Sequence, residues 1–218
     1  MINLLSTKIL NSFNAEKIIS SGIEISSYDA INIEKIPFDI DSIISNAIFT
    51  SKNAVEAVLS KNIQINNCYC VGEKTKLLLL ENGQKVAKSE ENASKLANYI
   101  VKLDKNDHFL FFCGNKKRDE LPNILLKNNI NFSTKEVYKT SLNYRKINTN
   151  LSGILFFSPS AIQSYCRYNK ITNEVLFTIG QTTANEAKNY SNKIITSKSN
   201  SIEQVVDNAI KYFTDDKK

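Results

Sequence analysis

A turn motif that occurs twice constrains the fold of this chain more than any other feature. The first copy spans residues 48–56 and the second spans 156–163, and each is an apolar run that ends in hydroxyl residues and then continues with helical periodicity. Glycine turns at Gly72 and Gly180 follow the two copies at nearly the same distance. Two matches at one offset predict two related strand–turn–helix lobes, although Ser, Thr and Gly are common at any turn from a strand into a helix.

The residues after each hydroxyl run fit a helix capping box, in which two side chains three residues apart satisfy free backbone N–H groups. We predict one box from Asn53 and Glu56, and a second from Ser160 and Gln163. Pro159 suits the first turn of a helix, because it lacks the N–H group that would be unpaired there.

Composition and charge narrow the class of protein. The chain has 218 residues, of which 42% are hydrophobic and 23% charged, as in ordinary globular proteins. No apolar run approaches the length of a membrane span, and the first residues lack the pattern of a signal peptide, so we expect a cytoplasmic protein that binds no membrane. The net charge of +6 is spread along the chain, which disfavours a nucleic-acid surface and suits a small polyanionic ligand.

The cysteines and the single histidine argue against a metal site. Cys68 and Cys70 have the wrong spacing for a zinc knuckle, and His108 alone cannot complete one. We therefore expect reduced, structural thiols. One histidine, placed at a strand edge, also disfavours a Ser/His or Cys/His hydrolase.

Strands and helices alternate along the chain, which predicts an α/β fold with parallel sheets and helices on both faces. The apolar run 109–113 is typical of a strand buried on both faces, and residues 184–190 are predicted to form a helix. The alternating segment 30–36 and the strand within 131–142 indicate two crossings between the lobes.

Ligands of such sheets bind beyond the carboxyl ends of the strands. The residues predicted at that edge are Thr50, Ser51, Gly72, Thr75, Cys113, Gly114, Asn115, Lys117, Arg118, Ser158, Ser160, Gly180, Thr182 and Thr183. We expect the two lobes to present these turns across a cleft. Free N–H groups at helix N-termini bind carboxylate or phosphate, so the set predicts a polyanion site, although ordinary capping explains each turn taken alone.

These turns, in this order, resemble those of uroporphyrinogen-III synthases. The motifs that carry the resemblance are Phe49-Thr50-Ser51-x-x-Ala54-Val55-Glu56, Val71-Gly72-x-x-Thr75, Cys113-Gly114-Asn115-x-Lys117-Arg118-x-x-Leu121-Pro122, Val137-Tyr138-x-Thr140, Phe156-Phe157-Ser158-Pro159-Ser160 and Ile179-Gly180-x-Thr182-Thr183-Ala184. Each motif alone is weak, whereas all of them in order are specific. Two positions depart from the family: Gln181 stands where Pro is frequent, and Thr7-Lys8 stands where many bacterial members have Thr-Arg.

The resemblance implies two lobes, each a parallel, flavodoxin-like sheet flanked by helices, which a two-stranded β-ladder joins. The first lobe is expected to be discontinuous, with residues 1–34 and 139–218, and the second to span 35–138. The crossings then fall near 30–36 and 135–142.

The resemblance also implies a lyase reaction of haem biosynthesis. The linear tetrapyrrole hydroxymethylbilane is closed into uroporphyrinogen III, with loss of water and inversion of the last ring, and no metal or organic cofactor is needed. The residues at the turns, from Thr50 to Thr183, are implied to bind the carboxylates of the substrate. Tyr138 is the implied proton donor for hydroxide departure; the alternative is that it packs in the ladder and only orders the substrate.

Two other functions stay open at this point. A two-lobed α/β module can bind a small polyanionic ligand without catalysis, and a phosphate-sugar enzyme would need an acidic metal pair or a base near the turns, of which none stands out. The retained Tyr138 and the Lys117-Arg118 turn favour the synthase. We expect a monomer that binds no nucleic acid and makes transient contact with hydroxymethylbilane synthase, the source of its unstable substrate.

Overall fold

The chain folds into two compact units, seen in a computed structural model. The structure describes residues 1–41, 43–61, 63–103 and 106–215. Unit 1 comprises Met1–Asn32 and Ser141–Lys218, and unit 2 comprises Ile33–Thr140. The unit boundaries fall within two strands, Ile31–Lys35 and Phe132–Leu142, which are neighbours in one sheet.

Unit 1 is a five-stranded parallel sheet with helices on both faces. Its elements are β1 (Asn3–Ser6), α1 (Ser12–Ser20), β2 (Glu24–Ser27), β9 (Gly153–Phe156), α6 (Pro159–Cys166), β10 (Val175–Thr178), α7 (Gln181–Ala187), β11 (Ile194–Thr196) and α8 (Ile202–Asp215). The strand order β2-β1-β9-β10-β11 is the flavodoxin-like 2-1-3-4-5. Leu4 and Leu5, adjacent in β1, belong to different core clusters, so both faces of the sheet are buried.

Unit 2 holds a six-stranded sheet. Its elements are β3 (Ile31–Lys35), β4 (Ile43–Phe49), α2 (Lys52–Leu59), β5 (Gln64–Val71), α3 (Glu73–Glu81), β6 (Val86–Glu90), α4 (Ala93–Ile100), β7 (Phe109–Gly114), α5 (Glu120–Lys127) and β8 (Phe132–Leu142). The strands β6-β5-β4-β7-β8 are parallel and follow the order 3-2-1-4-5, with β3 added beside β8. Phe111 and Phe112 pack on opposite faces, as the apolar run 109–113 predicted.

The predicted strand–turn–helix repeat is confirmed. β4 leads into α2 through Ser51, and β9 leads into α6 through Ser158. The next strand of each unit then leads into a helix whose N-cap is glycine, Gly72 before α3 and Gly180 before α7. Because Gly180 already starts the helix, α7 begins three residues earlier than predicted.

Both predicted capping boxes are wrong. The N-caps are Ser51 and Ser158, whereas Asn53 and Ser160 already lie inside the helices. Each serine has extended backbone, and its Oγ accepts a hydrogen bond from a first-turn N–H, at 3.2 Å for Ser51 and 3.1 Å for Ser158. The hydroxyl at the end of the strand caps the helix as soon as the chain turns, which leaves Pro159 at the first helical position, as predicted.

Candidate functional site

The carboxyl edge of the sheet in unit 2 has its switch point between β4 and β7. At this point the direction of strand addition reverses, so the turns after the two strands run to opposite sides. Thr50 and Ser51 follow β4, and Asn115 and Lys117 follow β7. The repeated hydroxyl turn and the Lys117 turn therefore flank the switch point, which is where ligands of such sheets bind.

A β-bulge in β8 aligns Tyr138 with the end of β7. The strand register pairs Cys113 with Glu136 and Gly114 with Tyr138, so Val137 is the extra residue. Neighbouring residues of a regular strand point to opposite faces, but here Val137 and Tyr138 both pack on the same core cluster. The bulge thus turns Tyr138 onto the face of this cluster, against Gly114 at the end of β7.

Gly114 leaves the space that the ring of Tyr138 occupies. A Cβ on Gly114 would lie 2.5 Å from Cε2 of that ring and 2.9 Å from its hydroxyl oxygen, closer than real Cβ atoms approach. Any larger residue must therefore displace the ring. The half-buried Tyr138 hydroxyl forms no hydrogen bond with the part of the chain that the structure describes, so it can donate one to a ligand.

Asn115 fixes the main chain beside Tyr138. Its side-chain Oδ1 accepts from the N–H of Thr140 at 2.8 Å, and its Nδ2 donates to the carbonyl of Thr140 at 3.3 Å. Its own N–H donates to the carbonyl of Tyr138 at 3.3 Å. The amide expected to bind substrate is thus engaged by β8, where it extends the strand pairing past the end of β7.

Two other predicted substrate-binding side chains of unit 2 are buried. Cys113 is 2% exposed and Thr75 is 5% exposed. The Cys113 thiol faces the carbonyl of Lys135, with 3.7 Å between Sγ and O, and burial raises its pKa to about 11, although the charge of Lys117 opposes this. These residues shape the edge and present neither a thiolate nor an exposed hydroxyl.

The cationic side chains of this edge differ in their partners. Lys117 Nζ lies 3.9 Å from a carboxylate oxygen of Glu136, and the N–H of Lys117 donates to the carbonyl of Gly114. Arg118 is exposed, and no carboxylate of the described residues forms an ion pair with it. Arg118 is therefore the more available cation for an anionic ligand.

The carboxyl edge of unit 1 has its switch point between β1 and β9. Thr7 spans it: its N–H and its Oγ1 both donate to the carbonyl of Leu155, at 3.1 Å and 2.7 Å. Because Thr7 is 2% exposed, its hydroxyl is not accessible to a ligand, and its hydrogen bond links β1 to β9 across the switch point. Sequence reasoning had treated Thr7-Lys8 only as a departure from the family.

The predicted residues of unit 1 also fall into exposed and buried sets. Ser158 and Ser160 are half-buried, Thr182 is exposed, and Thr183 is 3% exposed. Gly180 has extended backbone, and a Cβ on it would collide with Oδ1 of Asn200. Gly72, its counterpart in unit 2, instead has φ +84°, a left-handed conformation that favours glycine.

Helix N-termini supply most of the anion-binding capacity of both edges. α2 and α3 in unit 2 and α6 in unit 1 each begin at the carboxyl edge of their sheet, where their first N–H groups point outward. The serine caps use one N–H in α2 and one in α6, and Gly72 brings no side chain to α3. The remaining donors suit carboxylates.

No metal-binding cluster of three or more His, Cys, Asp or Glu side chains occurs among residues 1–41, 43–61, 63–103 and 106–215. His108 lies before β7, where its Nε2 is 3.1 Å from Ser133 Oγ. All four thiols are free, and burial raises the pKa of Cys68 and of Cys166 to about 12. Within the same described segments, no helix has the length and apolarity needed to span a membrane.

Comparisons with known proteins agree on one family. The family model described as uroporphyrinogen-III synthase HemD matches residues 9–207, which includes both carboxyl edges. A search of curated proteins finds no match.

Solved structures show the same fold. A uroporphyrinogen-III synthetase from Helicobacter pylori has a TM-score of 0.71 and 19% identity, over 97% of this chain and 100% of that one. A mutant uroporphyrinogen III synthase from Thermus thermophilus has a TM-score of 0.72 and 11% identity, over 100% of both chains. The wild-type Thermus protein has a TM-score of 0.56 and 10% identity, over 100% of both chains.

Proposed function

The chain belongs to the uroporphyrinogen-III synthase family, and from this premise we propose that it closes hydroxymethylbilane into uroporphyrinogen III. The observation that carries the proposal is the family match over residues 9–207. The reaction is a cyclising lyase reaction of haem biosynthesis, in which water is lost and the last pyrrole ring is inverted.

The two carboxyl edges suit a substrate with many carboxylates. The free N–H groups at the start of α2, α3 and α6 attract anions through the partial positive charge of each helix N-terminus. Arg118 adds a full positive charge in unit 2. We propose that each edge binds carboxylates of the substrate. Thr50, Ser160 and Thr182 are the hydroxyl groups best placed to add hydrogen bonds, because they are half-buried or exposed and none of them is an N-cap.

Tyr138 is the group that we assign to the chemistry. The hydroxyl of the substrate leaves as water when it takes up a proton, which a phenol without a protein acceptor can donate. The proton that the terminal ring loses on closure of the macrocycle returns to the phenolate. The bulge at Val137 and the space at Gly114 hold the ring in one place. The resulting azafulvene is attacked by the terminal ring, the spiro intermediate fragments, and the ring closes in the inverted direction.

Conformational control is the larger task of the site. The linear substrate closes unaided without inversion, so the enzyme must hold the chain of pyrroles in the geometry that favours attack through the substituted carbon. Many fixed main-chain donors do this without a paired acid and base. We infer that Asn115 contributes by fixing the strand that carries Tyr138.

The substrate is unstable, so a direct transfer from the enzyme that makes it would be an advantage. We propose that the protein acts in the cytoplasm as a monomer, and that transient contact with hydroxymethylbilane synthase limits unassisted closure. This contact is separate from the synthase activity and can be tested separately.

The isomer composition of the product tests the proposed activity. Hydroxymethylbilane is generated in situ by hydroxymethylbilane synthase, the protein is added, and the oxidised uroporphyrins are separated into types I and III. We expect type III to replace type I, and a Lys211→Gln variant, changed at an exposed position of α8, to behave as wild type. Type I alone from folded protein would contradict the proposal and favour a polyanion-binding module without catalysis.

A further inference from the structure

A basic, aromatic surface lies on unit 1 at the C-terminal end of α6. Because α6 begins at the carboxyl edge with Ser158 as its cap, its other end lies toward the opposite edge of the sheet. The segment before β9 and the segment after α6 meet there. We name this surface the Tyr-Arg patch, and its residues are Tyr144, Arg145, Lys146, Arg167, Tyr168 and Lys170.

Asn169 holds the two segments of the Tyr-Arg patch together. This side chain is 7% exposed. Its Nδ2 donates to the carbonyl of Arg145 at 2.7 Å, and its Oδ1 accepts from the N–H of Ile147 at 2.8 Å. Lys146 Nζ adds a bond to the carbonyl of Tyr168 at 2.9 Å. A buried, fully engaged amide thus fixes the main chain under the patch, so the patch is preorganised.

The tyrosines of the patch are exposed and contact each other. Tyr144 is 46% exposed and Tyr168 is 55% exposed, and their rings meet edge to face with centroids 5.7 Å apart. Exposed tyrosines next to arginines are the residue types most enriched at protein–protein interfaces. In this contact the edge of one ring packs on a face of the other, so the two rings form one aromatic surface.

The cations of the patch have no acidic partners. No ion pair within the described parts of the chain involves Arg145, Lys146, Arg167 or Lys170. The guanidinium of Arg145 lies over the ring of Tyr28, with 5.8 Å to the centroid. The helix dipole stabilises a cation at the C-terminus of a helix, which explains the position of Arg167 at the end of α6. It does not explain Arg145 and Lys146, because they belong to the segment before β9.

A cavity of about 590 Å³ opens within the patch, and Lys146, Arg167 and Lys170 line it. The only acidic residue described in its lining is Glu174, whose carboxylate accepts from the N–H groups of Thr172 and Asn173. That carboxylate is held by its own turn and forms no ion pair with the lining cations among the described residues, so three cations line the cavity with one carboxylate.

From these observations we infer that the Tyr-Arg patch is a docking surface for an acidic segment of a partner protein. The rigid main chain, the paired tyrosines and the concave cationic lining provide an aromatic anchor beside a receptor for carboxylates. The surface is independent of the proposed synthase activity, since none of its residues lies on the carboxyl-edge turns.

A synthetic peptide of alternating Glu and Tyr residues, fluorescently labelled, tests the inference by anisotropy at low salt. We expect saturable binding to the wild-type protein. The Arg145→Gln/Arg167→Gln variant should bind at least tenfold more weakly, because it loses two charge-assisted contacts. Lys198→Gln/Lys211→Gln removes the same charge from exposed positions elsewhere on unit 1 and should change the affinity less than twofold.

Tyrosine variants provide a second test, which measures the aromatic contribution to binding separately from the contribution of charge. Tyr144→Ala should weaken binding of the Glu-Tyr peptide more than binding of a peptide of Glu and Ser. Tyr212→Ala, at an exposed position of α8 on the other face of the sheet, should affect neither. The inference is overturned if binding of the peptide does not saturate, or if the two double variants reduce its affinity equally. It is also overturned if a single-stranded oligonucleotide or an anionic lipid vesicle binds the patch more tightly than the peptide at equal salt.

Discussion

Units 1 and 2 carry the same turns on sheets that are wound differently. Both place a serine cap after one strand and a glycine cap after the next, yet the strand order is 2-1-3-4-5 in unit 1 and 3-2-1-4-5 in unit 2. Turn chemistry is a local matter of satisfying N–H groups, whereas strand order depends on the direction of each crossover. Either winding brings the capped helices to the carboxyl edge, which is what an anion-binding edge requires.

The two switch points differ in what they offer a substrate. In unit 1 the hydroxyl of Thr7 is consumed by the carbonyl of Leu155. In unit 2 the bulge at Val137 leaves the hydroxyl of Tyr138 without a partner among the described residues. From this difference we propose that both edges hold carboxylates and that Tyr138 of unit 2 supplies the proton.

The largest expected effect comes from Gly114→Ala in unit 2. The added Cβ collides with the ring of Tyr138, so the ring must move by about an ångström or more, and displacement of a reacting group by that amount costs about a hundredfold in turnover. Steady-state kinetics with in situ hydroxymethylbilane measure the loss, and circular dichroism checks the fold.

Gly180→Ala in unit 1 is the matched change. There the added Cβ meets the end of one exposed side chain, that of Asn200, rather than an aromatic ring, so the loss of turnover should be far smaller. Equal losses at Gly114 and Gly180 would remove the distinction between the two switch points.

Tyr138→Phe separates the hydroxyl from the ring. The phenylalanine ring still fills the space above Gly114, so stability should be nearly unchanged, while kcat falls roughly ten- to a hundredfold, as for loss of a general acid. Wild-type kcat would reduce Tyr138 to a packing residue. A raised KM with unchanged kcat would assign it to substrate ordering.

The sequence predicted the local parts of this arrangement well. Alternating strands and helices indicated the parallel α/β class, and the apolar run 109–113 marked a strand buried on both faces. The repeated turns located the carboxyl edge, because a strand end followed by hydroxyl residues and helical periodicity is typical of a strand-to-helix turn. The predicted starts of α2 and α6 were two residues too late. Asn53 and Ser160 are suitable cap residues, but Ser51 and Ser158 precede them at the ends of the strands and cap the helices first.

The geometry around Tyr138 could not be predicted, because it depends on how β7 and β8, which are separated in sequence, pair with each other. The bulge at Val137 exists only relative to β7, and nothing in the order of residues around Val137 distinguishes it from a regular strand. The same holds for Asn115, whose amide is engaged by Thr140. Gly114 at the end of a buried strand was the one available signal of a close approach.

Ser51→Asp and Ser158→Asp test whether both edges bind carboxylates. Aspartate caps a helix about as well as serine does, so stability should hold, but its charge opposes an anionic substrate. At contact distance in water the repulsion is about 1 kcal/mol, which corresponds to about a fivefold rise in KM. A rise at Ser51 alone would assign carboxylate binding to unit 2, and no rise at either position would contradict the proposed role of the edges.

Ser51→Ala and Ser158→Ala probe the caps themselves and carry the smallest expected effect. Removing a serine cap costs about 1 kcal/mol, which appears as roughly fivefold faster hydrogen exchange in the first turn of α2 or α6. Hydrogen exchange is suited to the question because it reads each unit separately. Pro159 fixes the backbone at the start of α6 and has no N–H to leave unpaired, whereas α2 begins with Lys52. We therefore expect the loss to be larger at Ser51, and the reverse order would show that Pro159 does not support the first turn of α6.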